Sequence, residues 1–125
     1  MEADRQSEPT WIVRGGITTP DQLANGTRAH VAVPGLFGFS VQHDPGRTRE
    51  VLAAAGRFPN AQISVTTAEQ LIAAGRAVGY DVRIVRRPGR GFHHTVETPD
   101  PLPGDLAEAL SGAFHQVPNP VRFRP

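Results

Sequence analysis

Gln62-Ile63-Ser64-Val65-Thr66-Thr67-Ala68-Glu69-Gln70-Leu71-Ile72 changes period in mid-course, alternating polar and apolar side chains up to Thr66 and then taking up helical spacing. Thr66 and Thr67 each stand three residues before an acidic or amide side chain, Glu69 and Gln70, which is the spacing of a capping box at a helix start. The stretch therefore predicts a strand that feeds directly into a helix, and a chain that mixes both element types around one core.

Working outward from it, the same signals recur. Trp11-Ile12-Val13-Arg14 is a β-branched and aromatic run closed by Gly15-Gly16, so Arg14 falls at the end of a first strand. Thr19-Pro20-Asp21-Gln22 supplies a cap and a proline for the first helical position, and Asn25-Gly26 a stop. His30-Val31-Ala32-Val33 and Leu36 to Val41 read as a hairpin around Pro34-Gly35. Asp44-Pro45 opens a helix whose Val51, Leu52 and Ala55 form an apolar stripe ending at Gly56. Downstream, Tyr80 to Val85 alternates with Tyr80, Val82 and Ile84 on one face, and Phe92 to Thr98 forms a last strand. On that strand Phe92, His94 and Val96 share one face, and His93, Thr95 and Glu97 the other. Leu102, Leu106, Leu110 and Phe114 recur at helical spacing and predict a closing amphipathic helix.

These elements amount to an α+β fold: one small mixed or mainly antiparallel sheet of about five to six short strands with three to four short helices. A length of 125 residues, 38% of them hydrophobic, suits a single core. Residues 1–10 read as a flexible leader, 11–117 as the domain and 118–125 as an extended, proline-rich tail.

Composition excludes several chemistries. With no cysteine, disulfides, thiolate zinc sites and a cysteine nucleophile are all ruled out. The histidines lack the close spacing of a helical metal pair, so no metal is expected. The glycines form neither a dinucleotide fingerprint nor a phosphate-binding P-loop. No apolar run reaches bilayer length and the N-terminus is acidic, so a cytoplasmic protein without a membrane partner is expected. The net charge is +1, yet every one of the 13 basic residues is arginine, a bias that also suits a GC-rich genome. Arg76, Arg83, Arg86, Arg87 and Arg90 gather in one basic stretch.

Arg14, Ser64, Thr66, Thr67, His93 and Thr95 fall at or near predicted strand ends, where a sheet presents side chains to a cleft. Arginine grips phosphate through paired hydrogen bonds, histidine moves a proton near neutral pH, and hydroxyls donate to phosphate oxygens. Together they suit metal-independent cleavage of RNA without a cofactor, with Arg14, His93 and Thr95 as catalytic residues. Ser64, Thr66, Thr67, Arg87 and Arg90 would then bind substrate. Each also has a structural reading: Arg14 can bond loop carbonyls, Thr66 and Thr67 can cap the helix, and Arg87 and Arg90 can be solvated.

Val13-Arg14-Gly15-Gly16, Ser64-Val65-Thr66-Thr67 leading to Ala73-Ala74-Gly75, His93-His94-Thr95-Val96 and Asn119-Pro120 appear in an order that resembles small bacterial proteins carrying VRGG, VTT…AAGG, HxTL and terminal NP motifs. The resemblance runs from about Trp11 to Pro120 and implies association with toxin systems, hence a cognate antitoxin or immunity protein as partner. Arg14, Ser40 and Glu97 also resemble the arginine, serine and glutamate layout of ADP-ribosyltransferases, in which arginine and serine hold NAD and glutamate orients the nucleophile. Thr95 stands where that layout has a further glutamate. A third class, a non-catalytic immunity or protein-binding module, would use the tail as an extended ligand.

Overall fold

The computed structural model describes residues 9–29, 35–89 and 91–123. The leader up to Glu8, the expected strand His30–Val33, Arg90 and the last two residues lie outside the described residues.

Among the described residues seven strands form one antiparallel sheet: β1 (Trp11–Gly15), β2 (Arg28–Ala29), β3 (Phe37–His43), β4 (Gln62–Thr67), β5 (Arg83–Arg86), β6 (His93–Glu97) and β7 (His115–Pro118). Six of them run in the order β5-β6-β3-β1-β4-β7, and the two-residue β2 pairs with β3. The helices among the described residues are α1 (Pro20–Gly26), α2 (Arg49–Gly56), α3 (Ala68–Ala77) and α4 (Gly104–Gly112). The expected α+β class and single mainly antiparallel sheet are what the chain forms.

Alternation along the strands splits the core into two layers. On one face Ile12, Phe39, Val41 and Val96 meet Leu23 of α1, Leu71 of α3 and Leu106 and Leu110 of α4. On the other, Val13, Ile63 and Val65 meet Leu52 and Ala53 of α2, with Trp11, Phe58 and Phe92 around them. Three helices thus cover one face and a single helix the other, which leaves the second face open beside the end of α2.

The starts of α1, α2 and α3 obey the hydroxyl-capping rule, whereas α4 follows Pro103 with no side-chain cap. Thr19 accepts from Gln22 N at 3.1 Å, Thr48 from Val51 N at 3.2 Å and Thr67 from Gln70 N at 3.1 Å. Three expectations shift. The helix expected from Asp44-Pro45 begins instead at Arg49, because Asp44 closes a turn with Arg47 through backbone and side-chain bonds and leaves the cap to Thr48. Val51, assigned to the apolar stripe, is 40% exposed, and Leu52 with Ala53 turns inward. The strand expected from Tyr80 starts at Arg83, although Tyr80, Val82 and Ile84 do share the inner face.

The segment read as a tail begins inside the sheet. β7 pairs with the outer edge of β4, and the residues after it continue along the chain that links α2 to β4. Asn119 donates through Nδ2 to the carbonyls of Phe58 and Asn60, Arg122 donates through Nε to that of Pro59, and Phe123 N donates to Phe58 O.

Candidate functional site

A rung is missing at the centre of the sheet. In an antiparallel pair the residues of one strand direct their backbone groups alternately to either neighbour. His43 N donates to Phe92 O and Thr98 N to Phe37 O, so the odd-numbered residues of β3 bond β6, and Ser40 and Gln42 face β1. Gly16 N donates to Gln62 O, so the even-numbered residues of β1 bond β4, and Val13 and Gly15 face β3. Pairing of β1 with β3 runs through Ile12 opposite His43 and Val13 opposite Gln42 and goes no further. The rung that Gly15 and Ser40 would make next is absent, and the two strands part.

Arg14 stands at this opening. Its Nε donates to the Ser40 carbonyl at 3.3 Å, so a side chain takes over an acceptor that the ladder would otherwise use. Nη1 donates to Thr18 Oγ1 at 3.2 Å, and the guanidinium lies 5.2 Å from the centre of the Phe39 ring. All these partners are neutral. A guanidinium has five N–H donors, so with two engaged, three have no protein acceptor among the described residues. Burial pushes the guanidinium below its ordinary pKa, with no carboxylate among the described residues to offset the loss of water.

A cleft of about 400 Å³ follows the opening. Val13, Arg14, Gly15, Ser40, Val41 and Gln42 border it along the two strands, Ala55, Gly56 and Phe58 at the end of α2, and His93 from β6. The sequence-predicted pair Arg14 and His93 thus borders one cleft, but from opposite faces of the sheet. Arg14 lies on the face of Ile12 and Phe39, whereas His93, opposite Gln42, leaves on the α2 side. The missing rung is what allows both to reach the same space.

The other expected site residues do not converge there. Thr95 is completely buried beneath the surface that His93 borders. Ser64 is buried and donates to Gly16 O at 2.7 Å, Thr66 is buried against Gln70, and Thr67 caps α3. Their hydroxyls serve the fold, which is the capping and strand-to-loop reading of those residues. Arg87 lies in the turn between β5 and β6, its backbone N–H on His93 O, away from the cleft. Arg90 is outside the described residues. Glu97 accepts from Arg83 in an ion pair, Nη2 to Oε1 at 2.6 Å, and does not border the cleft.

Sequence reasoning passed over Gln42, Phe58 and the backbone of Gly15. Gly15-Gly16 was the available signal. A Cβ on Gly15 would stand 2.5 Å from Phe58 Cδ1 and 2.9 Å from Asn60 Oδ1, so the bare glycine keeps the cleft wall thin.

His94 points to the opposite face, where its ring meets that of His43 edge to face at 4.9 Å. Each ring places Nδ1 at 2.9 Å from a carbonyl, Trp11 O for His43 and Phe92 O for His94, and a carbonyl can only accept, so both Nδ1 atoms carry hydrogen. Burial lowers the His94 pKa, and the charges of His43 and Arg86 lower it further, against its bond to Phe92 O and the nearby Asp44.

Among the described residues no group of three or more histidine or acidic side chains is placed to hold a metal ion, and no helix is long and apolar enough to cross a membrane. In comparison with known proteins, no family model, no curated protein and no solved structure matches the chain.

Proposed function

We propose that the chain is an NAD-dependent ADP-ribosyltransferase whose site is the cleft at the opening between β1 and β3. The observation that carries this reading is the meeting of Arg14 with Ser40 across the missing rung, which leaves a guanidinium with free donors and no counter-charge at a cleft. Such a group suits a phosphate, which accepts several N–H bonds and supplies the missing negative charge. The strands bearing Arg14, Ser40 and Glu97 of the expected layout are neighbours at the sheet centre, in the order β1-β3-β6. The third position is modified: Glu97 is tied to Arg83, and the β6 side chain bordering the cleft is His93.

In the reaction, the bond between C1′ of the nicotinamide ribose and the ring nitrogen breaks, and its electron pair leaves with nicotinamide. An oxygen or nitrogen of the acceptor then bonds C1′ and loses its proton. Arg14 holds the phosphate, and the His93 imidazole takes that proton as a general base. A toxin role with a cognate immunity protein is consistent with the family resemblance of the sequence.

A second reading, metal-independent RNA cleavage, draws on the same two side chains, since a guanidinium and an imidazole beside one cleft also suit attack on a phosphodiester. Incubation with NAD labelled in the adenylate, beside total RNA without NAD, separates the two. Label transfer and nicotinamide release that fall about a hundredfold or more in Arg14→Gln are expected. RNA shortening without NAD, lost in the same variant, would replace the transferase by the nuclease.

A further inference from the structure

A second cavity, of about 350 Å³, adjoins the first across the Gly15-Gly16 dipeptide. Gly15 borders the cleft and Gly16 the second cavity, and on the facing segment Phe58 borders the cleft and Asn60 the second cavity. The partition is thin: a Cβ on Gly16 would come within 3.2 Å of Asn60 Nδ2, and the positive φ of 74° at Gly16 also selects glycine.

We propose that this second cavity is an adenine subsite, an inference that rests on the reading of the cleft as a dinucleotide site. Its lining is Gly16, Ile17, Gln22, Asn60, Ala61 and Gln62, with three carboxamides and no charged side chain. None of those three side-chain amides has a hydrogen-bond partner among the described residues. A carboxamide offers one acceptor and two donors side by side, and asparagine or glutamine pairs in this way with the amino group and ring nitrogen of adenine. Ile17, 46% exposed, supplies an apolar surface for the ring face. A neutral amide pocket does not suit a phosphate, whereas the cation next door at Arg14 does. The two cavities therefore divide a nucleotide by chemistry, its base on the amides and its phosphate across the glycine wall.

Binding of AMP, GMP, nicotinamide mononucleotide and NAD is measured by calorimetry on the whole chain and on the Asn60→Ala, Gln62→Ala double variant. Both side chains are exposed, and circular dichroism checks that the variant keeps its fold. The proposal expects AMP to bind more tightly than GMP, to lose about tenfold or more in the variant, and nicotinamide mononucleotide to be unaffected. Equal AMP binding by both proteins, or NAD binding without AMP binding, overturns the subsite and leaves the NAD reading standing. AMP binding that depends on the two amides, with no turnover of NAD, supports the subsite and removes the transferase. Absence of binding by all four ligands overturns both.

Discussion

Arg14 and His94 lie on the same face of the sheet, yet their surroundings treat the two basic side chains differently. Arg14 retains its charge beside neutral partners and a cleft, a state that a bound anion would relieve. His94 is buried against His43, and its lowered pKa means that the folded chain favours the neutral ring. The sign of the resulting pH dependence follows from proton uptake. The unfolded chain, with His94 near the ordinary 6.5, binds a proton at a pH where the folded chain does not. Stability from this group is complete above about pH 6.5 and is lost as pH falls toward the lower folded value. The urea midpoint should therefore drop between about pH 7 and pH 5, and drop less steeply in His94→Gln. An equal slope in the variant would assign the acid sensitivity elsewhere.

At the scale of elements, the segment Phe58–Asn60 between α2 and β4 forms part of the wall of both cavities, and the residues after β7 hold it in place. Asn119 makes three bonds there: Nδ2 to Phe58 O at 3.1 Å, Nδ2 to Asn60 O at 2.9 Å, and Oδ1 from Val121 N at 3.0 Å. Asn119→Ala should cost about 1–3 kcal/mol, read from the denaturant midpoint, with weaker nucleotide binding as a second effect. Unchanged stability would show that water replaces those bonds at no cost.

The sequence signals for β1, α1, β4, α3 and β6 were strong because each rests on local chemistry: alternation, a threonine cap, a glycine stop. β7 was illegible, since His115-Gln116-Val117-Pro118 has a single apolar residue on its inner face and prolines after it, and only the free edge of β4 makes it a strand. The site divided in the same way. Arg14 and His93 were visible as strand-end residues, but Ser64 and Thr67 bond backbone groups and Thr66 the Gln70 side chain, partners that spacing alone underdetermines. The missing rung between Gly15 and Ser40 depends on how two distant strands diverge, which no local pattern records.

For the molecule as a whole, an antiparallel sheet with three helices on one face and one on the other opens where its central ladder stops. Interior backbone groups are normally paired, so a gap in mid-sheet that is bridged by a half-buried arginine is an investment of stability in a local opening. The account rests on that opening being where NAD binds, and titration of the isotopically labelled protein with NAD, followed through its backbone amide resonances, tests it most directly. The expected result is a saturable shift of the Gly15, Ser40, Gln42 and His93 amides that is absent in Arg14→Gln. Shifts confined to other parts of the sheet, or none at saturating NAD, would contradict it.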